Sequence, residues 1–547
     1  MAPLELTSRR ELIASFLGLA VADLACRRNP NPGVIPGAFA DTSILATGHQ
    51  LRTGPPALAT QVERTVDVLI VGAGAAGLSA AWRLAGAGVG DVLVCELDDV
   101  PGGTARGGIN AVSAFPWGAH YLPAPLSATG PVPRLLKELG VLTGVDAQGG
   151  PQYAEEALIH EPDERIFFRG SWYEGLYLRV GASAEDLAQL ERFEDQMRAF
   201  ASAHDGKGRK AFAVPVASGS DDAEWTQLDK LSIAQWLELQ RFDSPRLKWL
   251  VEYACLDDFG STSANTSAWA GIWYFCSRQT GDEKNEGYLS WPEGNGRLIS
   301  QLARAVSPDR LRRRFLVHSL SPSDAGWVAH GLEAGQPVQL LARQVVLACP
   351  RHVAARVIAP WRQAPPSFVK EFQSSPWVVA NLTLSRRPTG RGFPLAWDNV
   401  FYESKSIGYV VATHQAPRAD VHGPTVLTWY CPLAGTDASA ERSRLLGTRF
   451  EEWEQVVLAD LTVAHPDIRS IATRLDVMRW GHAMIKPRPG FLWGGARQAA
   501  LGSLGGSLHF AHTDLGGLAL FEEANHFGVL AAERAIAGLG KTFDSWL

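Results

Sequence analysis

Cysteine is scarce in this chain, and where it occurs it is isolated. Six residues, Cys26, Cys95, Cys255, Cys276, Cys349 and Cys431, are spread over 547 positions without a Cys-x-x-C pair or a Cys/His cluster of zinc spacing. Such spacing predicts neither a structural metal nor a disulfide framework. Inside apolar runs such as Val92-Leu93-Val94-Cys95 the thiols read as small buried hydrophobes. A surplus of one charge is also missing. The 51 basic residues stand against 57 acidic ones for a net charge of −6. Apart from short clusters such as Arg312, Arg313 and Arg314 the basic residues are scattered, which excludes the extended basic face that nucleic acid requires. Near the N-terminus the uncharged stretch from Leu12 to Ala22 is too short to span a bilayer as a helix.

What is present is a globular composition, 46% hydrophobic and 20% charged with 54 Gly and 33 Pro, as expected of an α/β protein with many turns. The length predicts two or three domains at roughly 100–200 residues each. The N-terminal stretch fits the apolar region of a signal, and Arg9-Arg10 directly before it resemble a twin-arginine export signal. Residues 1–28 are read as that address, with an attached amphipathic helix as the alternative. The resemblance implies a periplasmic or exported location. Leu24-Ala25-Cys26 resembles a lipoprotein processing site, although Asp23 stands where an apolar residue is expected. Cleavage alone is the first reading, and a lipid anchor at Cys26 is the second. Residues 29–63, rich in Pro, Gly, Ala and Thr, read as a linker or surface arm.

The densest signal follows. Val66-Asp67-Val68-Leu69-Ile70-Val71 is a β-branched run that passes at once into Gly72-Ala73-Gly74-Ala75-Ala76-Gly77 and the helix-forming Leu78 to Leu84. In a strand–turn–helix of this kind Gly72 permits the turn and Gly74 lets backbone approach a pyrophosphate. Gly77 lets the helix pack on the strand. The helix N-terminus offers its free N–H groups to the anion. A second strand ends at Glu96, about 20 residues beyond Gly77, where a carboxylate accepts hydrogen bonds from ribose hydroxyls. The pattern predicts a dinucleotide site without saying which dinucleotide.

Val100-Pro101-Gly102-Gly103-Thr104-Ala105-Arg106 and then Phe115-Pro116-Trp117-Gly118-Ala119-His120-Tyr121 resemble the flavin amine oxidase and phytoene desaturase superfamily. There the Gly pair lets the chain pass close to FAD, and the second segment usually carries an acid at the place of Trp117. The resemblance continues in order: a Gly-rich turn at Leu289 to Ile299, a strand at Phe315 to Leu320 whose backbone at Val317 would contact adenine, and the strand end Gln344 to Pro350. It closes with Leu508 to Asp514, then Glu522 to Ala532. It implies non-covalent FAD, because no Cys follows Cys431 for the superfamily's C-terminal linkage. The implied ligands are Gly72, Gly74, Gly77, Glu96, Gly102, Gly103, Arg106, Val317, Thr513, Asp514 and Glu522, with Asp514 as ribityl ligand within one residue. The helix beginning at Glu522 would aim its positive end at the flavin N1–C2=O edge.

The fold implied is α/β: a discontinuous Rossmann-like FAD-binding domain, residues 64–135, 288–360 and 485–547, with an inserted α+β substrate domain, residues 136–287 and 361–484. Only one Gly-x-Gly-x-x-Gly unit is present, so no second domain for NAD(P)H is predicted, and the electron acceptor is expected to be dioxygen or a quinone. Trp480 resembles the superfamily's aromatic against the flavin. His120 reads either as flavin-facing or as a strand-end histidine. The superfamily's lysine near flavin N5 is missing: Pro376 to Leu384 offers Asn381 or Leu382 in its place, and Lys370 and Lys405 read as surface residues. Trp480, Asn381 and His120 are the candidate catalytic residues. The substrate expected is a small molecule oxidised at a C–N or C–C bond, with Glu252, Asp257, Asp258 or Glu403 as possible anchors for an amine. The alternatives are a dehydrogenase or isomerase of an apolar unsaturated substrate, and a flavin-binding protein without turnover.

Overall fold

The computed structural model describes residues 35–53, 61–277, 287–416 and 422–547. The expected export signal and Cys26 lie outside them. Two sheets organise the chain. The first is built around the strand Arg64–Val71, whose residues from Val68 onward are buried. On one side it pairs in parallel with Val92–Cys95 and through it with Leu311–Arg312. On the other side it pairs in parallel with Gln336–Leu347. The last three residues of that long strand take up Leu508–Phe510 in parallel. Its first half instead turns into an antiparallel meander with Gly326–Glu333 and Phe315–Ser323. Parallel strands covered on both faces read as continuous apolar runs, which is why Val66 to Val71 and Val345 to Leu347 stand out in the sequence.

Two helices pack together over this sheet. Ala75–Gly86 leaves the first strand, and Phe521–Gly538 crosses it near its start. A Cβ at Gly528 would lie 2.3 Å from the Ala76 carbonyl oxygen, so only glycine permits this approach. Asn525 donates to the Ser79 hydroxyl (2.9 Å), and Arg83 pairs with buried Glu533 (2.9 Å).

The second sheet has eight strands in the order Gly37–Phe39, Ala472–Ile485, Ser374–Leu384, Thr425–Pro432, Gly408–Val411, Asp398–Phe401, Glu164–Phe168 and Ser171–Glu174. One face packs on the helix Phe450–Ala464 through Trp453, Val457, Leu458 and Leu461. The other carries Trp377, Val379, Trp397, Tyr430 and Met478 toward the first domain. The helices Ala184–Ala201, Ile233–Leu239, Pro245–Phe259 and Ala268–Cys276 form a separate aromatic cluster beside it. The segment read as a linker or surface arm carries two regular elements. Gly37–Phe39 is the edge strand of this sheet, parallel to Leu475–Val477, and Thr42–Gly48 is a helix. Weak periodicity concealed both because each element is short. No helix among the described residues is long and apolar enough to cross a membrane.

Candidate active site and cofactor cleft

At the end of the first strand, Gly72 has φ 100°, a conformation that favours glycine. A Cβ on Gly77 would fall 1.9 Å from the Gly72 carbonyl oxygen, so the helix closes on the turn only without a side chain there. Gly74 differs: its backbone is ordinary and extended, φ −75° and ψ −175°, and a Cβ would meet nothing within 4 Å. Its requirement is space. That space borders the second glycine turn, where Gly102 (φ 125°) bridges to Gly74, and a Cβ on Gly103 would lie 3.6 Å from the Gly74 Cα. Two bare turns thus flank the N-terminus of the helix Ala75–Gly86 and leave a cradle that any side chain would fill. This is the shape a pyrophosphate needs, so the residues present fit FAD.

Glu96 follows the strand Val92–Cys95. One carboxylate oxygen accepts the Ala73 N–H (2.7 Å) and the other the Asp98 N–H (3.0 Å), and burial raises its pKa. Each oxygen keeps a second lone pair for a ribose hydroxyl. Arg106 is buried and pairs with Asp98, its guanidinium lying 5.5 Å from the Trp480 ring centre and 3.7 Å from the Met478 sulfur. It ties the glycine pair to the strand Ala472–Ile485. Val317 is buried in the core of the first sheet, on the strand whose Phe315 N–H donates to the Glu96 carbonyl (2.8 Å).

Thr513 and Asp514 form a short turn after the strand Leu508–Phe510. Asp514 accepts the Arg351 N–H (2.8 Å) and faces the His512 imidazole (3.1 Å). Burial works to raise its pKa, but His512, the Arg351 N–H and His352 outweigh burial and hold it at about 2. Part of the Asp514 carboxylate therefore serves the first turn of the helix Arg351–Val357.

Between the two sheets lies a cavity. Thr104, Ala119 and the start of the helix Phe521–Gly538, including Glu522, line its cofactor side, while Trp377, Val379, Ile407, Tyr430, Trp480 and Met484 line the other. His120 stands in the wall with its ring 4.8 Å from Tyr430 and 5.5 Å from Trp397. Burial lowers its pKa to about 4, so it is neutral near pH 7. Trp480 donates its indole N–H to the Trp117 carbonyl (2.6 Å), which fixes the plane of the ring. His120, Trp480 and Glu522 thus meet around one cavity. Asn381 does not join them. Its amide donates to the Pro116 carbonyl (3.0 Å) and accepts from the Thr428 hydroxyl (2.7 Å), so its polar groups are spent holding the sheet to the Phe115 segment. Trp377 and Val379, on the same face of that strand, take the cavity positions instead. Lys370 and Lys405 are exposed.

Of the four candidate anchors, Asp257 and Asp258 line the cavity. Glu252 accepts the Ser263 N–H, and Glu403 is exposed. Tyr121 donates to Asp258 (3.1 Å). Behind them Asp398 accepts from Tyr253 (3.1 Å), and burial, then the charges of Asp257 and Glu164, raise its pKa. One group of potential metal ligands stands close together among the described residues, the surface acids Asp205, Asp221 and Asp222, and Arg209 pairs with two of them. Trp377, Ile407 and Met484 were not singled out from the sequence, because they come from separate segments and nothing local marks which of their residues face a ligand.

A Rossmann-like domain with a glycine cradle, joined to a substrate sheet across an aromatic cavity, defines an FAD-dependent oxidoreductase. The chain belongs to the flavin containing amine oxidoreductase family, whose pattern it matches over residues 75–534. Among solved structures it is similar to putrescine oxidase bound to putrescine, at 17% identity, TM-score 0.62, covering 86% of this chain and 99% of that one. It is also similar to cyclohexylamine oxidase from Brevibacterium oxydans (18%, TM-score 0.59, 87% and 100%) and to the CLA-producing fatty acid isomerase from P. acnes (14%, TM-score 0.58, 85% and 97%). No curated protein matches the chain.

Proposed function

We propose that the protein oxidises a C–N bond of a small amine and passes the electrons to dioxygen or a quinone. The observation that carries this reading is the pair of carboxylates, Asp257 and Asp258, in the wall of an otherwise aromatic cavity. Carboxylates there favour a cation, and the faces of Tyr430, Trp377 and Trp480 suit one as well. His120, uncharged at neutral pH, adds no positive charge against it. FAD, when bound, supplies the hydride-accepting ring. The side chains orient the substrate and exclude water, and the N-terminus of Phe521–Gly538 favours negative charge at the cofactor edge of the cavity. A second reading, an apolar unsaturated substrate, is favoured by Trp377 and Val379 on the cavity face of a strand that lacks the superfamily's lysine.

The test is anaerobic bleaching of the flavin by a panel of primary amines, diamines and unsaturated fatty acids, followed by peroxide measurement in air. Bleaching by amines with peroxide release is expected. Bleaching by fatty acids alone would replace the amine reading with the second, and no bleaching by any compound would point to a flavin-binding protein without turnover.

A further inference from the structure

A second cavity, of about 300 Å³, lies at the lower edge of the size range of small-molecule sites. One wall belongs to the cofactor domain: Leu97, directly after Glu96, and Leu332, paired across the meander with Leu316 beside Val317. Asp99 and Arg314, ion-paired at 2.6 Å, stand at its rim. The other wall is the N-terminal arm, which presents Ser43, Thr47 and Gln50. They stand at i, i+4 and i+7, each about one turn beyond the last in a continuous helical stretch, the spacing that puts side chains on a single face.

The arm is held on both sides of this cavity. The Gly37–Phe39 strand lies so close to its neighbour that a Cβ on Gly37 would fall 1.7 Å from the Leu475 carbonyl oxygen. Asp41, 2% exposed, pairs with Arg479 at 3.1 Å, and that guanidinium covers the Phe39 ring at 3.6 Å. Beyond the cavity, Leu51 packs on the core of the first sheet. The helix between these anchors spans from the substrate sheet to the cofactor sheet.

With the pyrophosphate cradle at Gly74 and the ribose acid at Glu96, the base of the dinucleotide must lie on the far side of Glu96, where this cavity begins. We propose that the N-terminal arm completes the adenosine site of FAD, with Thr47 and Gln50 as ligands of the adenine edge over a floor of Leu97 and Leu332. Adenine presents an acceptor beside a donor, and a glutamine amide matches both at once. The cofactor is then retained by a segment that precedes the dinucleotide fingerprint, and the substrate sheet, through Asp41 and Arg479, holds that segment shut. The inference rests on FAD as the resident cofactor.

Apoprotein of the wild type and of Thr47→Ala/Gln50→Ala is titrated with FAD and with riboflavin, following flavin fluorescence. The double variant is expected to bind FAD roughly tenfold more weakly, as loss of two hydrogen bonds implies, with riboflavin affinity unchanged. In the wild-type apoprotein, ADP is expected to compete with FAD and to slow amide exchange in residues 36–53. FAD affinity within about twofold of wild type, an equal loss for riboflavin, ADP binding to the FAD-loaded protein, or amide exchange in the arm indifferent to ADP would each overturn the assignment. Wild-type apoprotein that bound no FAD would instead remove the cofactor reading on which it rests.

Discussion

Gly74 and Gly77 separate the two demands of the dinucleotide turn, cofactor binding and folding. At Gly74 a side chain enters empty space from an unstrained backbone, so Gly74→Val is expected to cost the apoprotein no more than about 1 kcal/mol, the scale of a changed helix N-cap. The same side chain occupies the pyrophosphate cradle, and FAD binding is expected to disappear. Gly77→Ala has the opposite profile: its Cβ, 1.9 Å from the Gly72 carbonyl oxygen, forces the helix off the strand by more than an ångström. Overpacking of that kind costs about 1–3 kcal/mol. Thermal melts of both apoproteins, with and without FAD, read the difference. Wild type gains about 2.7 kcal/mol at a hundredfold excess of ligand over Kd, and Gly74→Val gains nothing. A Gly74→Val protein that purified yellow with unchanged flavin stoichiometry would refute the cradle. Equal destabilisation of the two apoproteins would refute the steric argument.

Three further outcomes are expected. Glu523 is 0% exposed, with one oxygen accepting the Val216 N–H and the other unpartnered, and burial raises its pKa to about 7. The unfolded chain loses this proton near its ordinary value while the folded chain keeps it to about pH 7, so stability falls over that interval by about 3 kcal/mol. Glu523→Gln should flatten the slope in denaturant titrations at pH 5 and pH 8, and an unchanged slope would clear Glu523 of it. Acid precipitation should leave the flavin in the supernatant; colour retained by the polypeptide would show a covalent bond. If residues 1–28 are the proposed export signal, Arg9→Lys with Arg10→Lys should trap the protein in the cytoplasm, since planar guanidinium recognition is lost though charge is kept. Fractionation reads this, and wild-type protein confined to the cytoplasm with Met1 or Ala2 at its N-terminus would exclude the signal.

The dinucleotide turn was legible because its logic is local. Strand, three glycines, helix and terminal acid follow one another in the chain, and backbone geometry alone dictates which residues they must be. Sequence determined the α/β class and a dinucleotide site in this way, and FAD was implied by the resemblance of the later segments to a known superfamily. The cavity was decided elsewhere, by Tyr121, Asp258, Trp377, Tyr430, Trp480 and Phe521, which come from separate elements and meet only when two sheets are stacked. Asn381 shows the physical reason. The strand Ser374–Leu384 is buried on both faces, so no alternation of polar and apolar residues shows which positions along it reach a ligand, and a shift of one residue moves every side chain to the other face. Only pairing with Thr425–Pro432 and Ala472–Ile485 sets that register. The arm is the same case: three residues of strand and seven of helix are too short to leave a period, and their place was decided by Arg479, more than 400 positions away.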